Sequence, residues 1–223
     1  MNQQRSLAIS ILASAVIVAG AIVYVGIASH GGSANAENGV AAPSAEHDPY
    51  IGNPSAPLTL YYWRDFQCPF CSKFDTQTLP SLVAEYVNTG KLRIVFKDFV
   101  FLGSDSATAA GMSHAVWEAS PSNYYAWQHA VFSAQGAEGS GWASPANLIA
   151  ITKSVPGLDA TNIVALINKN GSSYQADINA DYLDAQRLGI QGTPGFWLDG
   201  QAFSGAQPVG FFEQIINADL ARS

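Results

Sequence analysis

The two cysteines of this chain, Cys68 and Cys71, are three residues apart, and the chain has no others. A strand-like apolar run precedes them and a segment with helical spacing follows. A thiolate at the start of a helix faces unpaired backbone N–H groups and the positive end of the helix dipole, which lowers its pKa from about 8.5. The spacing places both sulfur atoms on one helical face. We therefore expect thiol–disulfide exchange, in which Cys68 reacts with substrate and Cys71 resolves the mixed disulfide.

A metal site and a purely structural disulfide are the two alternatives for this pair. A zinc site needs two more ligands, and none of the four histidines has metal-motif spacing from the cysteines. A disulfide that closes so small a loop removes little entropy from the unfolded chain, which argues against a stabilising role. We expect no metal and no cofactor other than the redox-active Cys68–Cys71 disulfide.

The composition of the 223-residue chain limits the classes of function open to it. Hydrophobic residues make up 48% of the chain and charged residues 12%, and the formal net charge is -7. These values indicate one sizeable core and exclude a disordered or low-complexity protein. The acidic balance, with few Lys and Arg residues, argues against nucleic acid as a partner.

An uncharged apolar run extends from Leu7 to Ala28. At about 1.5 Å per residue, such a helix would cross a hydrocarbon layer about 30 Å thick. It is longer than the apolar part of a signal peptide, about 7–15 residues, so we favour a membrane anchor over 1–28. The small residues at 34–36 keep a cleaved signal open as the alternative. Arg5 before the run, and acidic residues beyond it, predict that the remaining chain is extracytoplasmic: held at the cell membrane, or secreted or periplasmic after cleavage.

The remaining chain divides into a tether and one folded domain. Gly, Ala, Ser and Asn dominate 29–49, which predicts a flexible tether, so the domain covers 50–223. Strands are expected from Leu58 to Trp63 and from Leu92 to Phe99, with a helix between them that is kinked at Pro80. Strand signals then disappear over about 104–188. Helices are expected there at 105–119, 122–135, 144–153, 159–168 and 172–188.

A hairpin and a last helix follow this helical block. Asp199-Gly200 lies between two short apolar runs and suits the positive φ angles of a type I′ turn. Residues 208–221 have the spacing of an amphipathic helix. The strand–helix–strand start favours a parallel pair with a right-handed crossover. We therefore predict an α/β fold, a mixed sheet flanked by helices, with a helical subdomain inserted at about 104–188.

Two segments together resemble the thioredoxin superfamily, and within it the DsbA-like branch of exported thiol–disulfide oxidoreductases. They are 65–71 (Asp-Phe-Gln-Cys-Pro-Phe-Cys) and 189–196 (Gly-Ile-Gln-Gly-Thr-Pro-Gly-Phe). The segments 116–118 (Val-Trp-Glu) and 124–129 (Tyr-Tyr-Ala-Trp-Gln-His), with Phe132, resemble the membrane-anchored, BdbD-type members of this branch. The similarity covers roughly 48–222. The long helical insertion is the feature that separates this branch from plain thioredoxin.

The resemblance implies a thioredoxin fold in which Cys68 is the nucleophile, Cys71 the resolving thiol and Pro194 a cis proline packed against the disulfide. It also implies that the backbone of Thr193 pairs with an extended substrate chain. The residues expected in substrate binding are Pro69, Phe70, Thr193 and Pro194.

In function, the resemblance implies a thiol–disulfide oxidoreductase that donates disulfides to folding extracytoplasmic proteins. The implied partners are unfolded or reduced exported proteins and a DsbB- or VKOR-like membrane oxidase that restores the disulfide. Two alternatives remain. One is a tethered disulfide reductase or isomerase, and the other is a non-catalytic peptide-binding module.

One position departs from the family pattern. The family often carries a buried acid six residues before the first cysteine, as a proton relay for the resolving thiol, and here Tyr62 stands at that position. Asp65 is acidic but three residues closer to Cys68. Water and Lys97 are the other candidates that could replace the missing acid as the proton relay.

Several other side chains carry expectations of their own. Of the aromatic residues near the two motifs, Phe70 is expected to be the most exposed, and the others are as compatible with core packing as with a substrate-binding rim: Phe66, Phe196 and Trp197. His114 and His129 are expected in packing or surface roles. The helical spacing of Asp177, Asp181 and Asp184 predicts a solvated acidic face.

Overall fold

The computed structural model describes residues 41–222. The predicted membrane segment, 1–28, and the first part of the predicted tether, 29–40, lie outside these residues. Within the described part of the chain, no helix combines the length and the apolarity needed to cross a membrane.

A five-stranded mixed sheet forms the centre of the domain, in the spatial order β1-β3-β2-β4-β5. The two central strands, β2 and β3, run parallel, and every other pair is antiparallel. This confirms the predicted parallel pair and mixed sheet. The sequence analysis missed β1, which has only two residues. The strands are β1 (Tyr50–Ile51), β2 (Leu58–Arg64), β3 (Leu92–Asp98), β4 (Gly195–Leu198) and β5 (Gln201–Ser204).

The helical segment between β2 and β3, here called α1, covers 69–87 and changes its winding along its length. Two α-helical parts, Pro69–Lys73 and Leu79–Leu82, alternate with two π-helical parts, Phe74–Thr78 and Val83–Val87. Proline lacks an N–H group and clashes with the carbonyl four residues earlier in a regular helix. The helix is predicted to be kinked at Pro80, and its winding changes to the wider π-helical form in the part that ends two residues before this proline.

The inserted region between β3 and β4 is helical, as predicted, but it contains one α-helix fewer than expected. A single helix, α5, covers Ala160–Arg187, where two helices separated at Gly171 were predicted. One glycine inside a helix costs about 1 kcal/mol relative to alanine, which tertiary packing readily exceeds. Tyr174 and Ile178 of α5 are buried just beyond it. The other α-helices of this region are α2 (Ser104–Ala119), α3 (Tyr124–Ser133) and α4 (Pro145–Ser154), and a short 3-10 helix, Pro121–Asn123, lies directly before α3.

The hairpin and the last helix, α6 (Val209–Leu220), agree with the sequence prediction. Asp199 and Gly200 have φ angles of 43° and 88°, as a type I′ turn requires.

The two faces of the sheet pack against different groups of side chains. Side chains alternate between the faces of a strand, so Leu60 and Tyr62 lie on one face and Tyr61 and Trp63 on the other. The first face carries the larger apolar core, which includes both cysteines. The second face carries a smaller aromatic cluster.

A buried lysine on the second face joins three parts of the chain. Lys97 of β3 donates to Asp48 Oδ2 at 2.6 Å and to the Ser44 carbonyl at 3.0 Å, and it also pairs with Asp181 of α5. All three ionic groups are at most 2% exposed. Burial alone would lower the pKa of Lys97, but Asp181 and Asp48 raise it above its ordinary value. The chain is therefore already packed against the domain at 44–49, within the range predicted as tether.

The burial of Asp181 contradicts the prediction of a solvated acidic face on α5. The solvated acidic face expected for Asp177, Asp181 and Asp184 does not include it, because Asp181 is buried and also accepts the backbone N–H of Asp98 at 2.7 Å. A lysine 84 positions earlier along the chain supplies its counter-ion, which helical spacing alone does not reveal.

We predict that Lys97→Met lowers the free energy of unfolding by about 3–5 kcal/mol, because it leaves two buried carboxylates without a cation. Urea denaturation, followed by circular dichroism, measures this difference. Lys153→Met, at an exposed position of α4, is the matched control and should change stability by no more than about 0.5 kcal/mol. Equal effects of the two substitutions would contradict this role of the buried cluster.

Candidate active site

The turn between β2 and α1 is held by the side chain of Asp65. One carboxylate oxygen accepts the Gln67 N–H at 2.8 Å and the Ser106 hydroxyl at 2.5 Å. The other accepts the N–H groups of Phe101 and Leu102 at 3.0 and 3.1 Å. Both oxygens are thus occupied in shaping the turn. This finding argues against Asp65 as the proton relay.

Two glutamines, which the sequence analysis did not single out, connect this turn to the inserted region. The Gln135 side chain donates to the carbonyl groups of Phe66 and Cys68 at 2.7 and 3.1 Å. The Gln67 side chain accepts the Gly139 N–H at 2.7 Å. Gln67 lies within the turn itself, but its partner Gly139 and the amide of Gln135 reach the turn only in the folded chain, so no spacing in the sequence indicates these bonds.

Cys68 occupies the position directly before the first helical residue of α1, and Pro69 is that first residue. The Cys68 side chain is nearly buried, and the pKa of its thiol is lowered to about 6. A hydrogen bond from Cys71 has the largest effect, and the backbone N–H groups of Phe70 and Cys71 act in the same direction, against the effect of burial. The predicted lowering at a helix start is therefore present, with a larger contribution from the second thiol.

Cys71 lies one turn further along α1 and has no exposed surface. Burial raises the pKa of its thiol well above the ordinary value, and its hydrogen bond to Cys68 acts in the same direction. Both cysteines are free thiols in this structure. The pair is thus asymmetric, with a thiolate at Cys68 and a protonated thiol at Cys71 near neutral pH.

The second motif meets the first at Cys68. The Thr193–Pro194 peptide bond is cis, and the Thr193 carbonyl oxygen lies 3.3 Å from Cys68 Sγ, where it accepts from the thiol form of Cys68. Gly195 follows at a position where a Cβ atom would come within 2.9 Å of the Gly192 carbonyl oxygen. A glycine at 195 therefore allows the backbone at 195 to pack closely against the Gly192 carbonyl. The contact between Cys68 and Thr193 brings the two predicted motifs together.

Of the four aromatic side chains considered as a substrate-binding rim, only Phe70 is exposed. It lies between the two cysteines with 61% of its surface accessible, while Phe66, Phe196 and Trp197 are at most 8% exposed. The buried three belong to the core clusters on the two faces of the sheet.

Tyr62, at the position of the family's buried acid, lies in the core on the cysteine side of the sheet. Its ring stacks on that of Phe196, with the ring centroids 5.2 Å apart, and apart from a hydrogen bond with the Cys71 thiol its hydroxyl has no partner among the described residues. Burial raises the pKa of Tyr62 well above its ordinary value, and the negative charges of Cys71 and Asp75 raise it further. Lys97, another suggested substitute, projects from the opposite face of the sheet.

A buried acid does occur near the cysteines, at a position that the sequence analysis passed over. Asp75 follows Cys71 by four residues on α1 and has no exposed surface. Its two carboxylate oxygens bond Gln128 Nε2 at 2.8 Å and His129 Nδ1 at 3.0 Å. Burial raises the pKa of Asp75. The spacing of four residues from Cys71 was the available signal, because such residues share a helical face.

Comparison with known proteins is consistent with this site. The family model described as Thioredoxin matches residues 44–218. The chain belongs to the thioredoxin family. Two sequence relatives share its overall length. "Disulfide bond formation protein D" of Bacillus subtilis is 24% identical over 178 residues, which cover 80% of this chain and 79% of the relative. "Probable disulfide bond formation protein D" of Bacillus anthracis is 26% identical over 200 residues, 89% of each chain.

Solved structures of this thioredoxin family share the fold. Oxidised BdbD from Bacillus subtilis superposes with a TM-score of 0.73 at 22% identity, over 82% of this chain and 98% of that one. The thiol–disulfide exchange protein α-DsbA2 from Wolbachia pipientis superposes with a TM-score of 0.67 at 25% identity, over 78% of this chain and 87% of that chain. The fold is therefore thioredoxin-like with an inserted helical region, and the chain is a DsbA-like thiol–disulfide oxidoreductase with a Cys-X-X-Cys pair.

We predict that Cys71→Ala raises the pKa of Cys68 from about 6 towards the ordinary thiol value, because it removes the hydrogen bond with the largest effect. Cys71→Ser is the matched control, since its hydroxyl can still donate to the thiolate. The rate of alkylation of Cys68 by iodoacetamide, measured against pH, reports both values. Identical profiles for the two variants would show that the second side chain does not determine the thiolate's stability.

Proposed function

We propose that this oxidoreductase donates its Cys68–Cys71 disulfide to folding exported proteins. The observation that supports this direction most is the low pKa of Cys68, about 6. A stabilised thiolate favours the reduced form of the pair, and a pair with a stable reduced form is a strong oxidant. This stabilisation is fully present above the ordinary thiol pKa, about 9, and is lost as the pH falls through about 6.

The proposed reaction has two exchange steps. A substrate thiolate attacks Cys68 Sγ of the oxidised pair, which forms a mixed disulfide and releases Cys71 as a thiolate that takes up a proton. A second substrate thiolate then attacks the substrate sulfur of the mixed disulfide and releases the Cys68 thiolate. The substrate is oxidised by two electrons to a disulfide, and the Cys68–Cys71 pair is reduced by two.

The substrate chain is proposed to lie beside the cis-proline loop as an extended strand. Thr193 is the residue whose carbonyl reaches Cys68, and Phe70 is the exposed aromatic side chain between the cysteines. Backbone pairing suits substrates of many sequences, because the hydrogen bonds of an added strand come from the main chain. Pro69 and Pro194 complete the proposed contact surface next to the sulfur atoms.

Export and recycling complete the proposal. The segment 1–28, with its apolar run from Leu7 to Ala28, is proposed to anchor the chain in the cell membrane, or to direct its secretion if it is cleaved, with the domain at 50–223 outside the cytoplasm. A DsbB- or VKOR-like membrane oxidase is the proposed partner that returns the reduced pair to the disulfide. Its electron acceptor takes the two electrons gained from each substrate.

The first experiment is to measure the reduction potential of the full chain, by equilibrating the cysteine pair against glutathione buffers. We expect a value near the strongly oxidising end, about -120 mV. A value near about -270 mV would contradict disulfide donation and favour the tethered reductase. In parallel, reduced unfolded ribonuclease is incubated with the oxidised chain, and recovery of its disulfides is followed. Cys68→Ser should abolish exchange, whereas unchanged biological activity of this variant would favour the peptide-binding module.

We predict that Phe70→Ser raises the KM for a dithiol peptide substrate by about three- to tenfold, because it removes the exposed apolar surface beside Cys68. The pKa of Cys68 should change little, since the helix start is intact. Leu183→Ser is the matched control, because Leu183 is 62% exposed on α5 and takes no part in the proposed contact. Equal effects of the two variants on KM would contradict a role of Phe70 in binding.

A further inference from the structure

The buried position of Cys71 makes proton transfer a requirement of the reaction. When a substrate attacks Cys68, Cys71 leaves as a thiolate at a position with no exposed surface. Its thiol has a pKa well above the ordinary value because of burial, so the thiolate must gain a proton. In the reverse direction the same thiol must lose one before it attacks. Water cannot reach the sulfur directly, so a neighbouring group has to carry the proton.

The groups that the sequence offered for this task are engaged elsewhere. Asp65 uses both oxygens to shape the turn before Cys68. Lys97 is paired with two carboxylates on the other face of the sheet. Tyr62 replaces the usual acid, and because burial raises its pKa, its hydroxyl keeps its own proton at neutral pH. A hydroxyl of this kind can pass a proton on but cannot store one.

Asp75 carries a carboxyl group, which can take up and release a proton, whereas the Tyr62 hydroxyl only passes one on. Residues four apart on a helix lie on the same face, which puts Asp75 one turn beyond Cys71. Its carboxyl group is fully buried, it bonds one side-chain partner at each oxygen, and burial raises its pKa above the ordinary value. The Tyr62 hydroxyl hydrogen-bonds the Cys71 thiol and has no other partner among the described residues, and the charge of Asp75 also acts on its pKa.

The same carboxyl group has a route to solvent. His129 of α3 bonds Asp75 Oδ1 through Nδ1 at 3.0 Å, and its side chain is 43% exposed. Gln128 bonds the other oxygen at 2.8 Å and holds the carboxyl in place. An imidazole at this position can exchange protons with water on one side and with the buried acid on the other.

We propose that Asp75 is the proton-relay residue of this site, exchanging a proton with Cys71 through the Tyr62 hydroxyl and with solvent through His129. This inference rests on the proposed function and names the residues that complete it. During disulfide donation, protonated Asp75 supplies the proton that Tyr62 passes to the leaving Cys71 thiolate, and His129 returns a proton from water to Asp75. During reoxidation each transfer runs in reverse.

Other titratable groups near Asp75 do not compete for this role. Arg64 of β2 acts on Asp75 to lower its pKa, against the effect of burial, and is itself paired with Asp98. Tyr124 and Tyr125 of α3 have pKa values raised by burial, so they stay protonated at neutral pH.

The test follows reoxidation of the reduced full chain by oxidised glutathione, which separates the two steps. Cys68 first attacks glutathione disulfide and becomes glutathionylated. Cys71 then loses its proton, attacks Cys68 Sγ and releases the second glutathione. Acid quenching and mass spectrometry count the glutathionyl intermediate at each time. We expect Asp75→Asn to leave the first step within twofold of wild type and to slow the second at least tenfold at neutral pH.

The pH profile distinguishes a relay from a structural role. The difference in second-step rate between Asp75→Asn and wild type should shrink as the pH rises, because the equilibrium fraction of Cys71 thiolate then grows and the rate depends less on the relay. Asp105→Asn is the matched control, since Asp105 is also buried, at the start of α2, and should leave both steps and the profile unchanged. A second step with wild-type rate and pH profile in Asp75→Asn would overturn the proposal.

Two further variants keep the test decisive if Asp75→Asn does not fold. Tyr62→Phe removes only the hydroxyl and should slow the second step by a similar factor. His129→Gly should slow it as well, and added imidazole should restore the rate because it can occupy the vacated position. A second-step rate equal to that of wild type in both variants would overturn the proposed relay. A wild-type chain that fails at the first step would instead contradict the proposed function, so the two failures are distinguishable.

Discussion

The hydrogen bond between the two thiols in the first turn of α1 is the interaction on which the chemistry of this protein depends. It stabilises the charge on Cys68 and holds the proton on Cys71, so one contact lowers one pKa and raises the other. Such a contact requires both sulfur atoms on one face of a helix whose start lies at the edge of the core. The turn before Cys68 and the cis-proline loop both serve to keep that helix start in place.

The inserted helical region forms hydrogen bonds with the start of α1 and with the turn before it. Its residues donate to the Cys68 carbonyl through Gln135, receive a hydrogen bond from Gln67, and bond the buried carboxyl of Asp75 through Gln128 and His129. These polar contacts connect the inserted helices directly to the turn that carries Cys68 and to the helix that follows it. The insertion therefore contributes to reactivity as well as to the size of the core.

The sequence predicted the features that depend on local pattern. The paired motifs, the parallel strands, the Asp199-Gly200 turn and the exposure of Phe70 all follow from residue type and spacing, and the structure confirms each. It did not predict contacts between distant segments. Asp181 was assigned to solvent because its counter-ion, Lys97, lies on a strand far away along the chain. The sequence also predicts that a helix ends at Gly171. The unfavourable helix propensity of glycine can be read from the sequence, whereas the tertiary packing that compensates for it cannot.

The buried basic side chains on the two faces of the sheet, Arg64 and Lys97, are each paired with carboxylates. On the cysteine side, Arg64 pairs with Asp98, which also bonds His114. On the other side, Lys97 pairs with Asp48 and Asp181. The leading influences on the pKa of Cys68 are accordingly hydrogen bonds and burial rather than neighbouring cations. Hydrogen bonds act only at short range and in one geometry, whereas an unpaired charge acts over several ångströms. The thiolate therefore depends on an intact first helical turn, and its stability should change when that turn is altered rather than when the ionic strength is.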